Sequence, residues 1–352
     1  MLTCVLVLLA LPALAQSDAP DGSLINPQAI VFNPTTEKIY AVDTSHGAVE
    51  IYNRESNQAH RVTVGKGPVS IAVNTVTGRA YVTNVTDGTV SVLGGATDAV
   101  LATVSVGELP YSIAANSATN MVYVTHTYSG ETTILDGATN TITQAKTGSM
   151  DLVALSEATN TVFLLGYEGG TITLLDGVSL DMHKRQAGKH AWGMAYSGEN
   201  GKLYVPRLGL GSVAVFDADS TEPSIMPAGH TPCALVIDAK NSRAYIVNYE
   251  GNTLSVVDTA KNRIVATVPV GERPQAVAFD AKLNLVFVAN TLGDSVTVID
   301  AVTYKVMATL AAGKRPNALA VNPGLGRLYV ANEAGDSAST VIDVSEIHKT
   351  KR

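Results

Sequence analysis

One phrase returns along this chain at an interval too short for a domain and long enough for one small sheet. It has the form Gly-x-x-Pro followed by alternating apolar residues, and it begins at Gly65, Gly107, Gly148, Gly188, Gly229, Gly271 and Gly313. Successive starts lie 42, 41, 40, 41, 42 and 42 residues apart, and a further unit without the glycine starts at Pro27, 41 residues before Pro68. A second phrase follows each start: Tyr40-Ala41-Val42-Asp43, Tyr81-Val82-Thr83-Asn84, Tyr123-Val124-Thr125-His126, Phe163-Leu164-Leu165-Gly166, Tyr204-Val205-Pro206-Arg207, Tyr245-Ile246-Val247-Asn248, Phe287-Val288-Ala289-Asn290 and Tyr329-Val330-Ala331-Asn332. The chain is therefore a tandem array of eight units.

Within the seventh unit the apolar alternation falls in four runs, Gln275 to Phe279, Leu285 to Ala289, Ser295 to Ile299 and Val306 to Leu310, separated by turn residues. Alternation with period two places successive side chains on opposite faces of a strand. The composition agrees: 46% of residues are hydrophobic, yet there are 30 glycines, 5 phenylalanines and 1 tryptophan, which suits many short strands joined by tight turns. A single four-stranded meander cannot cover both of its faces. Four strands recurring every 40 or so residues are the signature of a propeller blade, whose sheets stack face to face around an axis. The predicted fold is all-β, a β-propeller of four-stranded antiparallel blades with eight units counted; seven blades plus a stray hairpin is the alternative.

The ends divide as follows. Residues 1–15 read as an export signal, with an apolar stretch from Val5 to Leu11, then Pro12 and the small-x-small site Ala13-Leu14-Ala15. Residues 16–26 form an N-terminal segment, 27–343 the propeller and 344–352 a charged tail. The last unit has no fourth strand after Thr340 to Asp343, which leaves an open edge. Ser23 to Ile25 are expected to add to that blade and close the ring. The expected location is secreted, periplasmic or at the cell surface. No later segment has the roughly 18 apolar residues of a membrane helix. Removal of the signal takes Cys4 with it and leaves Cys233 alone, so no intrachain disulfide is expected.

The phrase Tyr81-Val82-Thr83-Asn84, with Asp258-Thr259 and Val268-Pro269-Val270-Gly271, resembles the YVTN family of β-propeller repeats over essentially the whole mature chain. The resemblance implies an exported or cell-surface protein with a binding or scaffolding role. Members are often seven-bladed, and the eight units counted here depart from that pattern.

Residues that recur in most units are explained by what all blades share. Asn84, Asn248, Asn290 and Asn332 sit where the second strand enters its hairpin, and satisfy turn backbone groups there. Asp136, Asp176, Asp217, Asp258, Asp300 and Asp343 end third strands and read as Asx-turn residues spread around the ring. Pro68, Pro110, Pro232, Pro274 and Pro316 fix the crossings between blades.

Function is sought where units differ. Alternating strand direction brings the crossings and the second-to-third-strand hairpins out on one face. That face collects Tyr111, His126, His190, Trp192, Arg207, His230, Glu272, Arg273, Lys314 and Arg315, the candidate ligand-binding residues at the channel mouth. Trp192 has two readings, channel lining or blade packing, because its siblings Tyr111, Cys233, Gln275 and Asn317 are unrelated residues. The histidines lack short metal-ligand spacing, so no metal site is assigned. No catalytic motif stands out, and no cofactor is required.

The leading expectation is an exported noncatalytic binding or scaffold propeller that presents its ring face to a protein, glycan or small molecule outside the cytoplasm. The alternative is a channel-mouth enzyme, since similar propellers include lactonase-like hydrolases and quinoprotein-like oxidoreductases. A net charge of −7 and a single tryptophan speak against a nucleic-acid groove, which needs basic residues and stacking aromatics.

Overall fold

The computed structural model describes residues 29–53, 58–217, 220–322, 324–334 and 338–347. Among these residues thirty-one strands form eight antiparallel sheets, each a meander of consecutive strands. Seven sheets have four strands; the eighth has three among the described residues. In the seventh unit the strands run Pro274–Asp280, Leu285–Asn290, Ser295–Asp300 and Val306–Ala311, within a residue or so of the runs visible in the sequence. The first strand of each sheet touches the first strand of the next, and that of the eighth, Lys314–Asn322, returns to that of the first, Ile30–Asn33. The molecule is an eight-bladed propeller with the first strands innermost.

Stacking explains the burial pattern. The second strands are covered on both faces, so Leu285–Asn290 and Ala80–Asn84 are buried at every position. They read as near-continuous apolar runs, as strands packed on both sides do. The outer strand Val100–Ser105 has only one covered face and alternates between exposed and partly buried residues. The aromatic that opens the repeated phrase sits between blades: Tyr40, Tyr81, Tyr123, Tyr204, Tyr245, Tyr329 and Phe287 are among the largest fully buried side chains. The apolar clusters join neighbouring blades, as Tyr40 and Val49 of the first meet Ile71 and Val82 of the second. Each side chain of this size contributes about 1.5–3 kcal/mol on full burial.

The turns follow from short polar side chains. Asp136 Oδ1 accepts the backbone N–H groups of Ala138 and Thr139 at 2.7 and 3.1 Å, and Asp176, Asp258 and Asp300 repeat the pattern. These bonds to the charged form hold the Asp136, Asp176 and Asp258 carboxyls below the usual range.

The ring closes between blades 8 and 1. Ala318, Ala320, Tyr329 and Ala331 pack on Ile30, Ile39, Ala41 and Tyr52, and the Tyr52 and Tyr329 rings lie 5.4 Å apart. Tyr52 Oη is 2.7 Å from Ser339 Oγ, which also hydrogen-bonds Glu50. The closing role expected for Ser23 to Ile25, the signal at 1–15 and the start of the first unit at Pro27 lie outside the described residues. Among those residues no helix is long and apolar enough to cross a membrane.

Candidate functional site

Backbone bonds show that each hairpin sits over the crossing of its own blade. The N–H of Val85 donates to Gly67 at 2.8 Å, Tyr249 to Thr231 at 2.9 Å and Thr291 to Arg273 at 3.1 Å. Crossings and hairpins therefore share one face, and every candidate residue lies on or just beneath it.

In blades 6 and 7 one asparagine locks this face. Asn248 and Asn290 end their second strands, accept the crossing amides of Gly229 and Gly271 at 2.9 and 3.0 Å, and donate to Ser255 and Thr297 of the third strands. The four blades without asparagine there depart individually. Blade 3 has His126, which is buried; its Nδ1 lies 2.8 Å from the Glu108 carbonyl and its Nε2 2.9 Å from Thr133 Oγ1. Burial pushes the His126 imidazole down, and with both ring nitrogens engaged it is a strut. Blade 4 has Gly166. Blade 5 has Arg207, whose Nε and Nη2 donate to Ser212 Oγ at 3.1 and 2.8 Å, and burial pushes its guanidinium down.

Blade 1 has Asp43, with Glu50 at the position of Ser255 and Thr297. Arg61 bridges the two carboxylates at 3.2 and 3.0 Å, and His46 lies 2.9 Å from Asp43. Sequence reasoning passed over this network, although an Asp and a Glu in place of the amide and hydroxyl were visible in the repeat.

Paired charges form the rim of blades 6 to 8. Glu250 meets His230 Nδ1 at 3.1 Å, Arg273 Nη1 at 3.3 Å and Thr231 Oγ1 at 2.9 Å. Burial opposes its ionisation, but the bonds from Thr231 and Arg273 and the nearby cations hold the Glu250 carboxyl below its usual range. The Arg273 guanidinium also stacks over the Tyr249 ring, 4.9 Å from its centroid. Lys314 pairs with Asp294, Arg315 Nε reaches Glu333 at 2.9 Å, and Glu272 is exposed. Pairs this exposed contribute about 0–1 kcal/mol each, so the rim is free to serve contacts other than its own.

Inside the rim, the residue after each crossing proline is the extra member of a β-bulge. Cys233, Gln275 and Asn317 fall at the register breaks of blades 6, 7 and 8, and Tyr111 at that of blade 3. A bulge re-aims one side chain, and here the aim is toward the axis. In blade 5, Pro206 removes an N–H from a central strand. The first strand is cut to Ala195–Ser197, and Trp192 pairs through its own N–H with the Pro206 carbonyl at 3.1 Å. Trp192, Cys233, Gln275 and Asn317 thus line one cavity of about 150 Å³ with Gly193, Ala234, Ala276 and Ala318.

Both readings of Trp192 hold: its ring lines the cavity and also packs edge-on against Tyr167, centroids 4.7 Å apart. His190 stands beside the pair, with Nδ1 3.4 Å from Tyr167 Oη. Cys233 is buried and its thiol is pushed up to about 12 by burial. In blades 3 and 4, burial raises the Tyr111 phenol and, with the charge of Glu168, the Asp151 carboxyl, which accepts the Tyr167 N–H at 2.8 Å. Asp151 was not a sequence candidate, although it replaces the crossing proline. The structure therefore gathers Trp192 with the tyrosine-histidine pair, and His230 with Arg273, while His126 is set apart within blade 3. Among the described residues no three of His, Cys, Asp and Glu form a group able to hold a metal ion.

No protein-family model matches this chain, and no curated protein sequence matches it. Solved structures do. The computationally designed Ika8 protein superposes with a TM-score of 0.74 at 13% identity, covering 90% of this chain and 96% of its own. The dihydro-heme d1 dehydrogenase NirN in complex with DHE gives 0.74 at 16% identity, covering 93% and 75%. Saccharomyces cerevisiae Sqt1 gives 0.74 at 14% identity, covering 91% and 96%. These likenesses show the fold: the chain is a β-propeller. A designed protein and a dehydrogenase on one architecture show that the ring does not dictate an activity.

Proposed function

We propose that this protein is a noncatalytic binding propeller, exported by its first fifteen residues and related to the YVTN repeat proteins. Its crossing face holds a ligand or partner outside the cytoplasm. The observation that carries this reading is the placement of the repeat-breaking residues. Trp192, Arg207, His230, Arg273 and Lys314 come from four different blades, yet all belong to the crossings and hairpins of one face, and Trp192 also lines the axial cavity. Chemistry repeated from blade to blade accounts for the asparagines, the turn aspartates and the buried tyrosines, and leaves these residues to function.

A thermal-shift screen of the purified mature protein across sugars, short peptides, lactones and divalent cations tests the reading. A ligand that binds the folded state raises its apparent stability by mass action. The expected result is a stabilising ligand whose effect falls in Arg273→Glu combined with Lys314→Glu. A ligand whose effect ignores that double change and requires Asp151 would favour the second reading, a channel-mouth enzyme with the raised Asp151 carboxyl beside Tyr111 as its acid.

A further inference from the structure

The side of the ring away from the crossings carries the remaining turns, and its charge is unevenly spread. In blades 4 and 5 those turns expose Glu157, Asp181 and Glu199; in blades 6 and 7 the turns and the strand start beside them expose Lys240, Lys261, Arg263 and Lys305. Hydrogen bonds join the basic turns into one surface. The Thr259 N–H donates to the Ser242 carbonyl at 3.0 Å and ties together the two turns of blade 6, and Arg243 Nε donates to Tyr304 Oη at 2.8 Å and ties them to a turn of blade 7. The four cations lie on or next to these three turns. Asp238, Asp258 and Asp280 of the same blades are buried and accept backbone N–H groups of their own turns, while Arg243 pairs with Asp258 at 3.4 Å. Those carboxylates offset part of the charge from beneath, so an approaching ligand meets the ammonium and guanidinium groups first. Among the described residues Lys240, Lys261, Arg263 and Lys305 form no ion pair.

Apolar side chains stand among the cations. Val302 is 71% exposed, and Ile264 and Val306, which follow Arg263 and Lys305, are exposed as well. We propose that this edge of the ring, formed by blades 6 and 7, is a docking surface for an anionic phospholipid membrane. A soluble polyanion would satisfy the cations and leave the apolar side chains in water. A membrane takes both, since its headgroups meet the lysines and arginine and the boundary beneath them takes the apolar tips. The acidic turns of blades 4 and 5 set the tilt: anionic headgroups repel Glu157, Asp181 and Glu199, so the ring stands on blades 6 and 7 rather than lying flat. Docking from this side leaves the crossing face open to solution, and the inference is independent of what that face holds.

Cosedimentation of the purified protein with vesicles tests this, using phosphatidylcholine alone and phosphatidylcholine with phosphatidylglycerol at about 3:1, a surface whose charge attracts each nearby Lys or Arg. The expected result is binding to the mixed vesicles and not to phosphatidylcholine. That binding should be lost as salt rises from about 0.1 to 1 M and the Debye length shrinks from about 10 to 3 Å. Lys261→Glu combined with Arg263→Glu should weaken it roughly tenfold or more, and Val302→Asp should weaken it with the thermal midpoint unchanged. Lys66→Glu combined with Lys146→Glu makes the same change in net charge at exposed positions outside the patch and should bind like the parent. Equal binding to the two vesicles, or none, would overturn the inference. So would equal loss from both double changes, because net charge alone would then account for the binding. Binding to dextran sulfate without binding to either vesicle would also overturn it and assign the patch to a soluble polyanion.

Discussion

Asn290 and Gly271 are fitted to each other across the top of blade 7. The asparagine's side-chain carbonyl accepts the glycine's N–H at 3.0 Å, and a Cβ on Gly271 would fall 2.5 Å from the asparagine Cγ. The same pair recurs as Asn248 and Gly229 at 2.9 Å. One side chain thereby ties crossing, hairpin and third strand together, which is why both residues return in the repeat.

Removing that tie is expected to be expensive. Asn248→Ala leaves the Gly229 amide and the Thr253 and Ser255 hydroxyls without their partner. A loss of about 2–3 kcal/mol is expected from chemical denaturation, since orphaned buried groups cost more than the bond they lose.

His126 occupies the same position in blade 3 and makes the blade sensitive to acid. Its pKa is lowered in the folded state because burial disfavours the imidazolium. The unfolded chain therefore takes up the proton first as pH falls below about 6.5, and stability is present above that value and lost beneath it. His126→Asn installs the residue of the sibling blades. Thermal midpoints measured between pH 7.5 and 5 are expected to fall less steeply in the variant than in the parent.

Close approach, rather than turn conformation alone, dictates Gly170. It has φ +60°, and a Cβ there would overlap the Gly188 carbonyl of the crossing beneath it. Gly130 has φ +75° with nothing within 4 Å of the corresponding point. Gly130→Ala is expected to cost about 1–2 kcal/mol from backbone strain alone. Gly170→Ala is expected to cost several kcal/mol, roughly the range of the severest single changes, as read by denaturation midpoints.

The repeat made the blades legible because stacking imposes the same demand eight times, an aromatic between sheets and a doubly covered second strand, with a proline at most of the crossings. Individual side-chain aim was less accessible. Whether Gln275 or Asn317 faces the axis depends on a one-residue bulge after Pro274 or Pro316, and alternation alone does not register an extra residue. His126 stood out because it breaks the repeat, and its partners, the Glu108 carbonyl and Thr133, come from a crossing and a neighbouring strand that the repeat does not connect to it. Ring closure joins Tyr52 to Ser339, 287 residues away, a distance over which local pattern says nothing.

The rim is expected to be energetically idle in the isolated protein. Arg273→Ala removes one ion pair and one stacking contact at a side chain 37% exposed, so a change within about 1 kcal/mol is expected in denaturation. That margin allows the face to be altered without unfolding the ring.

The most direct measurement places photoreactive residues on the two faces in the cells that make the protein. Glu272 and Lys314 probe the crossing face, and the exposed turn residues Val178 and Val302 probe the opposite one. A specific adduct from Glu272 and Lys314, absent from Val178 and Val302 and lost on Arg273→Glu, is the expected result. Adducts confined to Val178 and Val302 would contradict the assignment of the crossing face as the binding face.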